Sequence, residues 1–144
     1  MTEENHRGTE TQRETQRIPI PNAVNETSGM VVDAAYEVHK TLGPGLLESV
    51  YEKCLHHELN NRGLDVERQV QVPLTYKELQ FDCGLRMDLL VGNHVVVEVK
   101  AVEAVLPVHL AQLLTYLKIT DHRVGLLINF NSTKIKNGIH RVVL

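Results

Sequence analysis

The sequence is short of aromatic residues and cysteines, and it has no long hydrophobic run. It contains four tyrosines, two phenylalanines and no tryptophan, so it lacks the aromatic platform on which single-strand binding proteins stack bases. Cys54 and Cys83 form no CxxC pair or zinc-type cluster, and we interpret them as reduced core residues. No apolar segment approaches the roughly 18 residues of a membrane span, and the amino terminus is too polar for a signal peptide. We therefore expect a soluble cytoplasmic protein that does not enter a membrane.

The chain also lacks an excess of positive charge, with a formal net charge of −3. Proteins that bind nucleic acid without sequence preference usually have a basic surface, so this balance counts against strong non-specific binding. The objection weakens if some of the acids bind a metal ion, because the cation would neutralise them. The length of 144 residues is enough for one domain with an aliphatic core.

The polarity of the chain changes after residue 26. Residues 1–26 are polar and are interrupted by Pro19 and Pro21, so we predict a disordered or loosely attached tail followed by one domain over residues 27–144. Helical periodicity begins at Thr27 and stops before Gly43-Pro44-Gly45. A second helix is predicted over residues 46–60, with an apolar stripe of Leu46, Leu47, Val50, Tyr51, Cys54, Leu55 and Leu59.

The remaining segments alternate between strand and helix patterns. Residues 66–75 and 77–91 are predicted to be antiparallel strands, and Pro107 is at a helix-start position. The helix is expected to run to about residue 119. The apolar run 124–130 is typical of a strand that is buried on both faces and parallel to a neighbour.

Residues 82–101 contain the candidate chemistry, because acids occupy one parity of two successive strands. In the first strand the apolar parity holds Phe81, Cys83, Leu85, Met87 and Leu89, and the other holds Asp82, Gly84, Arg86 and Asp88. In the second strand, Val95, Val97 and Val99 alternate with Val96, Glu98 and Lys100.

The register of these strands determines whether Asp88 and Glu98 meet. A two-residue Gly92-Asn93 turn would place Asp88 opposite Val97, with Glu98 facing away. A three-residue connection, Gly92-Asn93-His94, or a bulge would bring the two acids to one face. We predict convergence, and the alternative is a half-buried hairpin whose charges face water.

A third acid, Glu48, is predicted near the buried side of the second helix. It is either a solvated acid in the first helical turn or a ligand that reaches the site. Magnesium prefers hard oxygen ligands and retains several waters, so Glu48, Asp88 and Glu98 together match its demands. Lys100 shares the face of Glu98 and could hold the attacking water or meet the charge on a phosphate.

Four short motifs occur in one order along the chain: Gly45-x-x-Glu48-x-x-Tyr51, Met87-Asp88, Glu98-Val99-Lys100 and Gln112-x-x-x-Tyr116. Together they resemble the GxxExxY proteins of the PD-(D/E)XK nuclease superfamily, over residues 28–144. The intervening segments GPGLLESVYE, LPVHLAQLLTYLK and VGLLINFN resemble that family as well.

The resemblance implies an α/β (α+β) fold, a restriction-endonuclease-like core in which helices flank a mixed central sheet. It implies that the metal ligands are Glu48, Asp88, Glu98 and the Val99 carbonyl, and that Lys100 is catalytic along with Asp88 and Glu98. Gln112 and Tyr116 match residues that hold nucleic acid in related nucleases. Met87 stands where the family usually has proline, and the four cysteines that bind an iron–sulfur cluster in some relatives are absent, so no cluster is expected.

His109 has two interpretations, as a polar residue of a helix's first turn or as a phosphate contact that joins Gln112 and Tyr116 in binding substrate. The function that we expect is a Mg²⁺-dependent (or Mn²⁺-dependent) nuclease acting on DNA. The alternatives are a non-catalytic domain of the same fold that binds nucleic acid or a protein, and another metal-dependent hydrolase.

Overall fold

The computed structural model describes residues 18–144, which form three helices, five strands and one short 3-10 helix. In chain order these are α1 (Asn22–Leu42), α2 (Glu48–Asn61), β1 (Val66–Tyr76), β2 (Leu79–Val91), β3 (Val95–Lys100), α3 (Pro107–Thr120), β4 (Val124–Asn129), the 3-10 helix (Ile135–Gly138) and β5 (Ile139–Val143). Within residues 18–144, no helix combines the length and apolarity that a membrane crossing requires.

The strands form one mixed sheet in the order β1-β2-β3-β4-β5. Only β3 and β4 are parallel, and the other neighbours are antiparallel. The crossover through α3 supplies the parallel pair, and every residue of β4 is buried, as the apolar run predicts. One sheet face packs with α1 and α2 in a cluster that includes Val97 and Leu126. The other face packs with α3 in a cluster that includes Val96 and Leu127. The predicted fold class is confirmed.

The first helix begins earlier than the predicted start at Thr27. Helix α1 starts at Asn22, directly after Pro21, and the side chain of Val24 is only 7% exposed. Val24 extends the helical repeat of buried residues, since Ser28 and Val31 follow it on the same side. Residues 22–26 of the predicted tail are therefore helical, whereas its residues 1–17 lie outside the described residues.

The connection between β2 and β3 has the odd length that convergence of the acids requires. Val91 pairs with Val95, so Gly92-Asn93-His94 forms the loop. Both Gly92 (φ 59°) and Asn93 (φ 58°) adopt the left-handed conformation, which is easiest for glycine and tolerated by asparagine. The His94 N–H closes the turn on the Val91 carbonyl at 2.9 Å.

Strand β2 is divided into two unequal parts at Asp88. Only Leu89–Val91 pairs with β3, whereas the earlier part pairs with β1 alone and is largely exposed. We call the projecting two-stranded segment, residues 70–87, the β-arm. Opposite Asp88 in β1, between the paired residues 68 and 70, Gln69 has a φ of 54° and redirects the strand.

This bend overturns the prediction of one continuous apolar face along β2. Met87 packs in the cluster beneath α3, whereas Leu89 packs in the cluster beneath α1 and α2. Phe81 is 47% exposed and Cys83 is exposed, because the arm extends past the helices. The expectation that Cys83 is a core residue is therefore wrong, while Cys54 is partly buried against the core.

Helix α2 begins two residues later than predicted, at Glu48. Leu46 and Leu47 therefore lie in the preceding loop, and Leu47 is 73% exposed. Val50 is exposed as well. The buried face of α2 is formed by Tyr51, Glu52, Leu55 and Leu59, so the predicted stripe is correct only in its second half.

Candidate active site

Asp88 and Glu98 meet where the ladder between β2 and β3 ends. The Asp88 N–H donates to Glu98 Oε2 at 3.2 Å, and the Val99 N–H donates to Asp88 Oδ2 at 2.8 Å. Each carboxylate thus accepts a hydrogen bond from a backbone N–H of the neighbouring strand. These bonds occur where the next backbone–backbone hydrogen bonds of the ladder would otherwise form. The predicted convergence is confirmed.

The two carboxylates are buried close together, and this disfavours their charged forms. Burial, followed by the charge of Asp88, raises the pKa of Glu98 to about 8, although the Asp88 N–H and Lys100 act in the opposite direction. Burial also raises the pKa of Asp88, while the Val99 N–H and Lys100 lower it and Glu52 and Glu48 add to the rise. The form in which both carboxyls are ionised is therefore unfavourable in the protein alone, and a cation bound between them would stabilise it.

Lys100 is the last residue of β3 and lies two residues after Glu98, so both side chains point to the same face. Its charge lowers the pKa of both Asp88 and Glu98. The Lys100 carbonyl accepts a hydrogen bond from the Phe130 N–H at 2.9 Å. The lysine is thus held by its backbone at the edge of the acidic pair.

Glu48 approaches this edge from the first residue of α2. Its Oε2 accepts from the Ala101 N–H at 3.2 Å, one residue beyond Lys100. It is exposed, and within residues 18–144 no three His, Cys, Asp or Glu side chains form a group that could hold a metal ion. Asp88 and Glu98 therefore converge and Glu48 lies beside them, and the assignment of Glu48 as a third ligand of the same ion stays a prediction.

Of the residues predicted to bind substrate, Tyr116 is close to the acids. Its pKa is raised by burial and then by the charges of Glu98 and Asp88. Gly125 of β4 allows helix α3 to lie close to the sheet, since a Cβ at this position would be only 2.8 Å from Leu113 Cδ1. Gln112 is exposed on the same helix.

His109 has a local structural contact. Its Nδ1 accepts from the Leu106 N–H at 3.0 Å, which caps the first turn of α3. This agrees with the first-turn interpretation, and the roles of His109 and Gln112 in binding substrate stay predictions.

Two residues that the sequence analysis missed support the site. Asn129 is buried, and its side chain accepts from the Val102 N–H at 3.0 Å and donates to the Val102 carbonyl at 2.9 Å, which fixes the chain just after Lys100. Glu52 is buried too, and it accepts from Arg68 and Gln69 at the bend of β1. The sequence signal for each of them was a single polar residue among the apolar residues of a buried helix face or strand.

The chemistry of the acid pair fits a magnesium ion. Mg²⁺ is commonly held by one or two carboxylates and keeps several of its waters, so Asp88 and Glu98 suffice as direct protein ligands. Their raised pKa values indicate that a cation would relieve the mutual repulsion.

A comparison with protein families agrees with this geometry. Residues 25–142 match the family model described as PD-(D/E)XK nuclease superfamily. The chain belongs to this superfamily. No curated protein and no solved structure gives a significant match. The superfamily indicates a nuclease-type function, and its fold agrees with the mixed five-stranded sheet.

Proposed function

We propose that this PD-(D/E)XK protein is a magnesium-dependent nuclease that hydrolyses phosphodiester bonds of DNA. The observation that carries the proposal is the convergence of Asp88 and Glu98 on one face, with Lys100 two residues further along the strand. Membership of the GxxExxY group, suggested by Gly45, Glu48 and Tyr51, is part of the same proposal.

Asp88, Glu98 and the Val99 carbonyl would hold Mg²⁺ or Mn²⁺ directly, and Glu48 would act through a water. When bound, the ion would neutralise charge on the phosphoryl oxygens and lower the pKa of a water molecule, so that hydroxide is available near neutral pH.

Lys100 would orient the attacking water or stabilise the charge that develops on the phosphate. Its ammonium lies on the face of the acids, and the hydrogen bond from Phe130 fixes its backbone. Tyr116 would donate a hydrogen bond to a substrate phosphate, because its hydroxyl remains protonated near neutral pH beside two negative charges. Gln112 and His109 would extend this contact along α3.

The test compares Lys100→Ala with Asp88→Ala. Lys100→Ala removes a positive charge but no proposed ligand, so Mn²⁺ affinity should persist or rise, while cleavage should fall on the order of a hundredfold or more. Asp88→Ala should lose both metal binding and cleavage. Lys40→Ala, an exposed lysine of α1, is the matched control and should behave as wild type.

Cleavage is measured with labelled single-stranded and double-stranded DNA, and Mn²⁺ affinity by calorimetric titration. A wild-type protein that binds Mn²⁺ but cuts no nucleic acid would favour the non-catalytic binding module. Undiminished cleavage by Lys100→Ala would contradict the catalytic role of the lysine.

A further inference from the structure

The hydroxyl group of Tyr51 bridges two points of the loop that precedes α2. It donates to the Gly43 carbonyl at 2.6 Å and accepts from the Leu46 N–H at 3.0 Å. The Tyr51 side chain is fully buried. A buried hydroxyl that uses its donor and one acceptor on backbone groups is a strong local constraint, since breaking either bond leaves a polar group without its partner.

The other hydrogen bonds of the loop, residues 43–47, are at its two ends. The Gly43 N–H donates to the His39 carbonyl of α1 at 2.7 Å, and the Leu47 carbonyl accepts from the Val50 N–H of α2 at 3.1 Å. Gly43 (φ 74°) and Gly45 (φ 101°) adopt backbone conformations that favour glycine, and no other atom lies within 4 Å of a Cβ added to either. Leu46 and Leu47 are exposed. Because two glycines have high conformational entropy, the Tyr51 hydroxyl accounts for much of the order of this loop.

The aromatic ring of Tyr51 connects the loop to the strand that carries Lys100. It stacks on Phe130 with centroids 4.7 Å apart and an interplanar angle of 7°. The Phe130 N–H donates to the Lys100 carbonyl. From the other side, Glu48 at the end of the loop accepts from the Ala101 N–H. The contacts thus connect the start of α2 with the end of β3.

We propose that Tyr51 is a positioning residue of the active site: its hydroxyl fixes residues 43–47 and so holds the Glu48 carboxylate beside Ala101, next to Lys100. The hydrogen bonds of the Tyr51 hydroxyl are to Gly43 and Leu46, separate from those of Asp88 and Glu98. The inference rests on the proposed function, because Glu48 matters only if the acidic site binds a cation.

The variant that tests it is Tyr51→Phe, which keeps the stacked ring and removes only the hydroxyl. Tyr36→Phe, which removes the hydroxyl of an exposed tyrosine in α1, is the matched control. In Tyr51→Phe the Leu46 amide should lose its protection from hydrogen exchange. Mn²⁺ affinity should weaken about tenfold, the usual scale for losing an outer support of a metal site.

Kinetics separate positioning from general damage. Tyr51→Phe should lower kcat and leave the KM for DNA near the wild-type value, because the proposed DNA contacts on α3 are unchanged. If Tyr51 acts through Glu48, then Tyr51→Phe should cause little further loss of Mn²⁺ affinity in a Glu48→Gln background. Tyr36→Phe should match wild type in every measurement.

Losses that add fully in the double variant would overturn the proposal, as would wild-type Mn²⁺ affinity in either Tyr51→Phe or Glu48→Gln. Failure of the proposed function is distinguishable, since it would appear as a wild-type protein that cuts no DNA. In that case amide exchange and the Mn²⁺ titrations, which need no turnover, still decide the role of Tyr51.

Discussion

The two parts of β2 differ in almost every physical respect. Leu89–Val91 is buried, has a strand on each side and contributes to clusters on both sheet faces. The β-arm has a single partner strand and exposes Phe81, Leu79 and Tyr76. Two-stranded segments of this kind are marginally stable alone, so the outer part of the arm should contribute little to stability, whereas Leu85 and Met87 at its base pack in the cluster beneath α3.

Asp88 lies at the border between these parts. A carboxylate within the buried part would have no free space for a ligand, and one on the arm would lack a rigid frame. At the border, backbone pairing has just ended and the neighbouring residues are still fixed. The difference indicates that the position of the site follows from where β3 stops pairing with β2.

The largest contrast in stability is expected between Leu89→Ala and Phe81→Ala. Leu89 is fully buried, so its truncation should lower the free energy of unfolding by about 2–5 kcal/mol. Phe81→Ala should cost less than about 1 kcal/mol, because that ring is already half in water. Urea unfolding measures both, and similar losses would show that the arm belongs to the core.

A smaller effect of opposite sign is expected at the border itself. Glu98→Gln replaces a carboxyl whose charged form is disfavoured by burial and by Asp88 with a neutral amide that can donate to Asp88. The metal-free protein should therefore gain on the order of 1 kcal/mol at pH 7.5. Cleavage should be lost at the same time. The control is Glu103→Gln, an exposed acid, and a destabilised Glu98→Gln protein would contradict the repulsion between the acids.

The smallest effect is expected at the opposite end of the buried strands, at His122. Burial lowers its pKa from the ordinary 6.5, Asp121 opposes this and His94 adds to it. The unfolded chain then binds this proton more readily, so the contribution of His122 to stability is constant above about pH 6.5 and falls as the pH drops below it.

Replacing His122 with Gln removes this contribution, so the Tm at pH 5, taken relative to the Tm at pH 7.5, should be about 2 °C higher than in wild type. His57→Gln, at an exposed position of α2, should leave the profile unchanged. An unaltered profile in His122→Gln would place the pH dependence elsewhere.

The sequence predicted the acid pair because parity and turn length are short-range properties. In a ladder without a bulge, Glu98 can face Asp88 only across an odd connection, and Gly92, Asn93 and His94 provide it. The exposure of Leu46 and Leu47 could not be predicted in this way. Their spacing continues the apolar stripe of α2, but the loop that contains them is ordered by Tyr51 from within the core.

The bend at Gln69 was also beyond the sequence. A left-handed conformation at a residue other than glycine has no compositional signal, and it depends on tertiary contacts such as the hydrogen bond from Gln69 to Glu52. The supporting role of Asn129 was missed because a single polar residue at the end of an apolar strand is common and does not indicate a specific contact. Its partner, Val102, is also distant in sequence.

The register between β2 and β3 has a consequence for the proposed activity. Val91 pairs with Val95, and this register places Glu98 opposite Asp88. A slip of one residue, with His94 opposite Val91, would turn Glu98 and Lys100 to the other face and destroy the site without removing any of its residues. Substitutions in residues 92–94 that favour a two-residue turn are therefore expected to abolish cleavage although every proposed site residue is kept.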